Sequence, residues 1–131
     1  MSRAAVYTLL TTDDELAALG LAAVYAFQAV DTPNSKPFVV TRWDEVQPGV
    51  VPSRGPQSLT LWVYDTPADY ARIDSIIARA KDILLDAVHV DGSDGMTITQ
   101  VRWTGDSQDL YDDVYGCVVR TSSYDVIVRP S

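Results

Sequence analysis

The stretch Asp106-Ser-Gln-Asp-Leu-Tyr-Asp-Asp113 packs four carboxylates into eight residues with no Lys or Arg among them. Carboxylates at that density suit a divalent cation, a basic partner or plain solvation. The spacing lacks the alternate ligands, central Gly and distal Glu of an EF-hand loop, which leaves an acidic interaction surface or a solvated connection. Grouped like charges repel one another, so a cluster with no cation in its own neighbourhood is easiest to explain through assembly. Asp106, Asp109, Asp112 and Asp113 are therefore the candidate channel-wall or partner-facing cluster. The other titratable residues offer less. Asp44 and Glu45 are adjacent, so on a strand they would face opposite sides and could not share a proton transfer. His89 and Cys117 are the sole His and Cys, too few for an ordinary metal site. His89 falls at an expected helix C-terminus, where imidazole can bond free carbonyls. Cys117 begins a Cys-Val-Val run and reads as a small apolar core residue. Gly92 and Gly95 lack the following helix and Lys of a phosphate loop. No catalytic residue, cofactor or metal is expected, and the chain reads as a non-enzyme.

A second candidate surface is the segment 44–57, which carries Pro48, Gly49, Pro52, Gly55 and Pro56 and exceeds the two to five residues typical of a hairpin loop. Its Pro and Gly content is expected to prevent regular pairing. Val46, Val50 and Val51 would be wasted on a solvated tip, so Val46, Pro48, Val50, Val51 and Arg54 are the candidate interface with a tube or a neighbouring subunit. Trp43, Trp62, Trp103 and Tyr64 fit either an interface or a core.

The elements that must position these residues follow from periodicity and caps. A helix is expected over 2–11. Thr12-Asp-Asp-Glu15 matches a capping box opening a second short helix, which Gly20 ends. Residues 22–28 suggest a short strand, and Asp31 to Pro37 is turn chemistry. Strands are expected over 38–43 and 58–64, paired antiparallel. From Pro67 to about Val88, Tyr70, Ile73, Ile77, Ala80, Leu84 and Ala87 form one apolar stripe of a long helix, with Thr66 as its cap. Strands over 96–104 and 117–128 follow, joined by the acidic connection. Twelve extended residues would span about 40 Å, against a radius of gyration of about 14 Å for a domain of this size, so the last strand must bend, bulge or reach beyond its own subunit. The fold class is α+β: a mostly antiparallel sheet with one long helix packed on a face and short N-terminal helices.

Composition sets the frame. The chain has 131 residues, 47% hydrophobic and 21% charged, ordinary usage for one globular domain over 1–131 that needs no disulfide. No apolar run approaches a membrane span and no signal peptide is evident, so no membrane partner and a cytoplasmic site of synthesis are expected. With 18 acidic against 10 basic residues the net charge is -8, and no cluster of three cations occurs. Tight phosphate binding draws on clustered cations, so DNA is either irrelevant or must pass without sticking.

Several pieces taken in order resemble the tail terminator (tail completion) proteins of long-tailed, non-contractile phages. They are Thr12-Asp-Asp-Glu-Leu-Ala-Ala-Leu-Gly20, Pro37-Phe-Val-Val40, Gln57-Ser-Leu-Thr-Leu-Trp-Val-Tyr64, Thr66-Pro-Ala-Asp69, Asp109-Leu-Tyr-Asp112 and Tyr124-Asp-Val-Ile-Val-Arg129. The likeness spans nearly the whole chain and departs from the family in the longer, more Pro-rich segment 44–57. It implies a homomeric ring, commonly a hexamer, that caps the tail tube, stops tube polymerisation and offers a docking surface to the head connector. The partners so implied are the chain itself, the tail tube protein and the head-tail connector protein. The location implied is the tail-neck junction of the virion, assembled in the host cytoplasm, with DNA passing through the channel. A small dimeric α+β-barrel enzyme and a different head-tail neck adaptor stand as alternatives.

Overall fold

The computed structural model of the chain describes residues 3–21, 23–25, 37–43, 55–66, 70–92, 95–107, 110–112 and 116–130. It has the expected α+β architecture. Helix α1 is Arg3–Thr11 and α2 is Asp14–Ala18. The cap of α2 is Asp13, whose carboxylate accepts from the Leu16 N–H at 2.9 Å. The capping box expected at Thr12 does not form, because the Thr12 hydroxyl donates instead to the Thr8 carbonyl, 2.6 Å away, in the last turn of α1. Gly20 closes α2 as expected. Its φ of 89° lets Gly20 N–H reach Ala17 O and Leu21 N–H reach Leu16 O, the paired bonds of a left-handed helix stop.

Strands β1 (Ala23–Tyr25), β2 (Phe38–Trp43) and β3 (Gly55–Asp65) precede helix α3 (Tyr70–Leu85). After it come β4 (Val90–Asp91), β5 (Met96–Asp106), β6 (Leu110–Asp112) and β7 (Cys117–Pro130). One sheet runs β1-β2-β3-β7-β5-β4, with β6 also paired to β7. Among the described strands only the β1–β2 pair is parallel; the others are antiparallel.

Strand β7 is central. It pairs with β3 from 118 to 128 on one side, and with β6 and β5 on the other. Of the three outcomes expected for an overlong strand, reaching beyond the subunit is not what the pairing gives, since β7 is matched along its length by strands of its own chain. The irregularities lie in its partner: Thr99 and Thr104 of β5 are each an extra residue opposite β7.

Strand β3 also runs further than periodicity suggests. Gly55, Pro56 and Gln57 pair with Val128, Ile127 and Val126, which corrects the expectation that 44–57 is unpaired throughout. Pro56 is tolerated because β2 begins pairing only at Leu59, so among the described residues Pro56 has a strand on one side alone.

Helix α3 ends at Leu85, three residues before the expected Val88. His89 lies beyond it, exposed and at φ 56°, where it turns the chain into β4 rather than closing the helix. The expected apolar stripe does pack on the sheet. Ile73, Ile77, Ala80, Leu84 and Ala87, with Ile76, join Leu59, Leu61, Val63, Val118, Tyr124, Val126 and Val128 in the main core. Ala5, Val6 and Leu10 of α1 and Leu16 of α2 complete it. The opposite face of the sheet carries a second buried cluster of Phe38, Val40, Tyr64, Cys117 and Val119, in which the Phe38 and Tyr64 rings stack 4.5 Å apart. Cys117 is thus a core residue.

Candidate assembly surfaces

The acidic segment is where local reading and tertiary structure differ most. Asp106 is not left without a cation. It accepts from Lys81 Nζ at 3.0 Å, Trp103 Nε1 at 2.9 Å and Ser122 Oγ at 2.6 Å. Lys81 comes from α3, 25 residues away in sequence, and also lies 4.2 Å from the centre of the Trp103 ring. Burial alone would raise the Asp106 carboxyl, but the bonds from Ser122, Trp103 and Lys81 outweigh it and hold it below its ordinary value. Ser122 in turn bonds the buried Tyr124 hydroxyl at 2.8 Å. Desolvation pushes that phenol up to about 12.

The bulge at Thr104 makes this network possible. Regular alternation would send residues 103 and 106 to opposite faces, and one extra residue returns both to the α3 side. Thr99 does the same for Ile98 and Val101, both in the main core. The sequence held a signal for this: Ile98, Val101 and the pair Trp103/Asp106 break period two.

Beyond Asp106, the acidic segment forms the continuation of a sheet edge. Strands β5 and β6 lie on the same side of β7, and Ser107 joins them by donating its N–H to Thr121 O at 2.8 Å. The expected plain connection is therefore partly strand. Asp112 closes β6 opposite Cys117, while Asp109 and Asp113 lie outside the described residues. Trp103, Leu110 and Tyr111 are all exposed on this edge. The interface candidates Val46, Pro48, Val50, Val51 and Arg54 also lie outside the described residues, as do Asp44 and Glu45.

Three ion pairs with no signature in the sequence patterns above fix the helical layer. Asp65, fully buried at the end of β3, takes both Arg72 Nε and Arg72 Nη2 at 2.6 Å and accepts from Thr66 N–H at 2.7 Å. Asp13 takes Arg79 Nη2 at 2.7 Å and Nε at 3.1 Å while capping α2, and these bonds hold its carboxyl below the usual range. Arg120 of β7 bonds Asp74 of α3. Asp65 and Arg72, seven residues apart, are the closest of these pairs in sequence.

Two broad surfaces remain. Between α2 and α3 runs a groove of about 500 Å³ lined by Glu15, Ala18, Leu19, Ser75, Ala78, Arg79 and Asp82. Ala18, Leu19 and Ala78 are its apolar lining, and Glu15 and Asp82 its acidic lining. On the far face of the sheet, Thr60 and Ser123 hydroxyls lie 3.3 Å apart, the Arg42 guanidinium sits 4.8 Å from the Trp62 ring centre, and Arg102 approaches Asp125 at 3.9 Å. Among the described residues no helix packs on that face, no three His, Cys, Asp or Glu side chains form a ligand set, and no helix is long and apolar enough to cross a membrane.

The fold defines an α+β protein with its long helix on one face of an antiparallel-rich sheet. Among solved structures, a chain of the virion of a native gene transfer agent (GTA) particle is similar to it, with a TM-score of 0.73 at 19% sequence identity over 96% of this chain and 92% of that one. No family model and no curated protein matches the sequence.

Proposed function

We propose that the chain is a structural protein of a phage-like virion and not an enzyme. The observation that carries this reading is the likeness, over nearly the full length of both chains, to a component of a gene transfer agent virion. The ordered sequence pieces that resemble tail terminators refine it. In that reading residues 1–131 are one tail-terminator-like domain, and copies of it form a ring, commonly a hexamer. The ring caps the tail tube, stops tube polymerisation and offers a docking surface to the head-tail connector. Its place is the tail-neck junction, reached by assembly in the host cytoplasm. DNA crosses the channel without adhesion, which the net charge of -8 favours. Asp109, Asp112 and Asp113 form the channel- or partner-facing acidic group, with Asp106 as its anchor inside the subunit. Val46, Pro48, Val50, Val51 and Arg54 contact the tube or a neighbouring subunit.

Electron microscopy of particles made without the chain tests the reading. Tails of uncontrolled, excess length and heads without tails are expected, both reversed when the chain is supplied. Tails of normal length joined to heads in its absence would overturn it.

A further inference from the structure

Two surfaces of the described residues are opposite in charge. Around the α2–α3 groove, Asp14, Glu15, Asp82 and Asp86 are exposed, and the groove's own cation, Arg79, is already held by Asp13 and lies 3.4 Å from Glu15. Asp82 and Asp86 have no cation within ion-pair distance among the described residues. On the far face of the sheet, Arg42 lies against an aromatic ring with no carboxylate partner among the described residues, and Arg102, half exposed, meets Asp125 only at 3.9 Å. Each guanidinium presents five donors, most of them open here. At one end of that face Phe38, Val40, Tyr64, Cys117 and Val119 are already buried; Arg42 and Arg102 lie on the remainder, where no described helix packs. The exposed carboxylates of Asp82 and Asp86 complement those two arginines in sign.

We propose that the groove between α2 and α3 receives the far sheet face of a second copy of this chain, with Arg42 and Arg102 of one subunit meeting Asp82 and Asp86 of the next beside Ala78. The two surfaces differ, so the contact is head-to-tail, and such a contact closes into a ring when its rotation allows. This rests on the ring reading above and names the surfaces that would make it. The apolar lining and the Trp62 ring under Arg42 supply contact area, and the charges set orientation and exclude like-to-like pairing.

A complementation experiment decides it. The variant R42E/R102E carries an acidic sheet face, and D82K/D86K carries a basic helical surface. All four positions are exposed, so both are expected to fold with unchanged circular dichroism. The neutral R42Q/R102Q, expected to be intermediate, guards against a folding defect. Light scattering across a concentration series should show wild-type chain associating, each reversed variant requiring at least tenfold higher concentration, and a one-to-one mixture of the two reversed variants recovering association through alternating subunits. Wild-type association that survives both reversals would overturn these surfaces and leave the ring standing. A wild-type chain that stays monomeric both alone and with tail tubes added would overturn both.

Discussion

Asp106 links protonation to stability. Its folded carboxyl is held below 3.8, so in acid the unfolded chain takes up a proton first, and the stability it contributes is present above that value and lost as pH falls through the lower, folded one. Asp106→Asn is expected to flatten the acid limb of urea unfolding midpoints measured from about pH 5 to about pH 2; an unchanged slope would refute the linkage. Tyr124 works at the other end. With its phenol pushed up from 10.0 to about 12, the unfolded chain loses its proton first in alkali, so that contribution is full below pH 10 and fades as pH rises towards 12. Tyr124→Phe should remove that alkaline slope and cost about 1 kcal/mol at neutral pH for the lost Ser122 bond. The Asp65–Arg72 pair is asymmetric, because the Asp65 side chain is fully buried and that of Arg72 is 31% exposed. Arg72→Met strands a carboxylate with no access to water and is expected to cost about 3–5 kcal/mol. Asp65→Asn leaves a guanidinium that can reach solvent and should cost visibly less. Denaturant titration orders the two, and the reverse order would contradict the burial argument.

Among the elements, β5 and β3 hold the informative departures. Deleting Thr104 removes the bulge that puts Trp103 and Asp106 on one face, so Asp106 loses Lys81 and Ser122 together. A loss of at least about 2 kcal/mol is expected, with a shifted Trp emission maximum as Lys81 leaves the ring. Wild-type emission and stability would mean that the register absorbs the change elsewhere. The hairpin between β2 and β3 makes a second case. Gly55 to Ser58 extend past the end of β2 and pair with β7, so a Gly/Ser linker of about six residues replacing 44–54, long enough to span from Trp43 to Gly55, should leave the melting temperature nearly unchanged, whereas an Asn-Gly turn replacing 44–57 strips pairs from the central strand and should lower it. Tail-length measurement on the shorter replacement then tests Val46, Pro48, Val50, Val51 and Arg54 as tube contacts without confusing that role with stability.

At the scale of the whole molecule, charge is distributed by face. Four cations of the helical side, Arg72, Arg79, Lys81 and Arg120, are committed to carboxylates of the same subunit, and the surplus acid lies outside them. Head-to-tail association driven by the remaining charges should weaken as salt rises from about 0.05 to about 0.5 M, because the Debye length shrinks to a few ångströms over that range. Association that strengthens with salt would point to a purely apolar contact. Duplex DNA is expected to show no retention by the chain in a filter or mobility assay near physiological salt. Measurable affinity there would contradict passage without adhesion.

Patterns confined to one element were legible in the sequence. The α3 stripe from Ile73 to Leu84, the Gly20 stop, the β2–β3 pair and the buried Cys117 all follow from periodicity and backbone preference acting over a few residues. The acidic residues of 106–113 were legible as a group, but not the fate of Asp106, because Lys81, Ser122 and Tyr124 reach it from distant parts of the chain. The same limit hid Asp65–Arg72, Asp13–Arg79 and the place of β7 at the sheet centre. Local sequence determines what each segment prefers to be, since turns, caps and amphipathic faces are short-range. Only the tertiary structure decides which charges find partners and which surfaces remain uncovered, because that depends on which elements the packing of one core brings within hydrogen-bond reach.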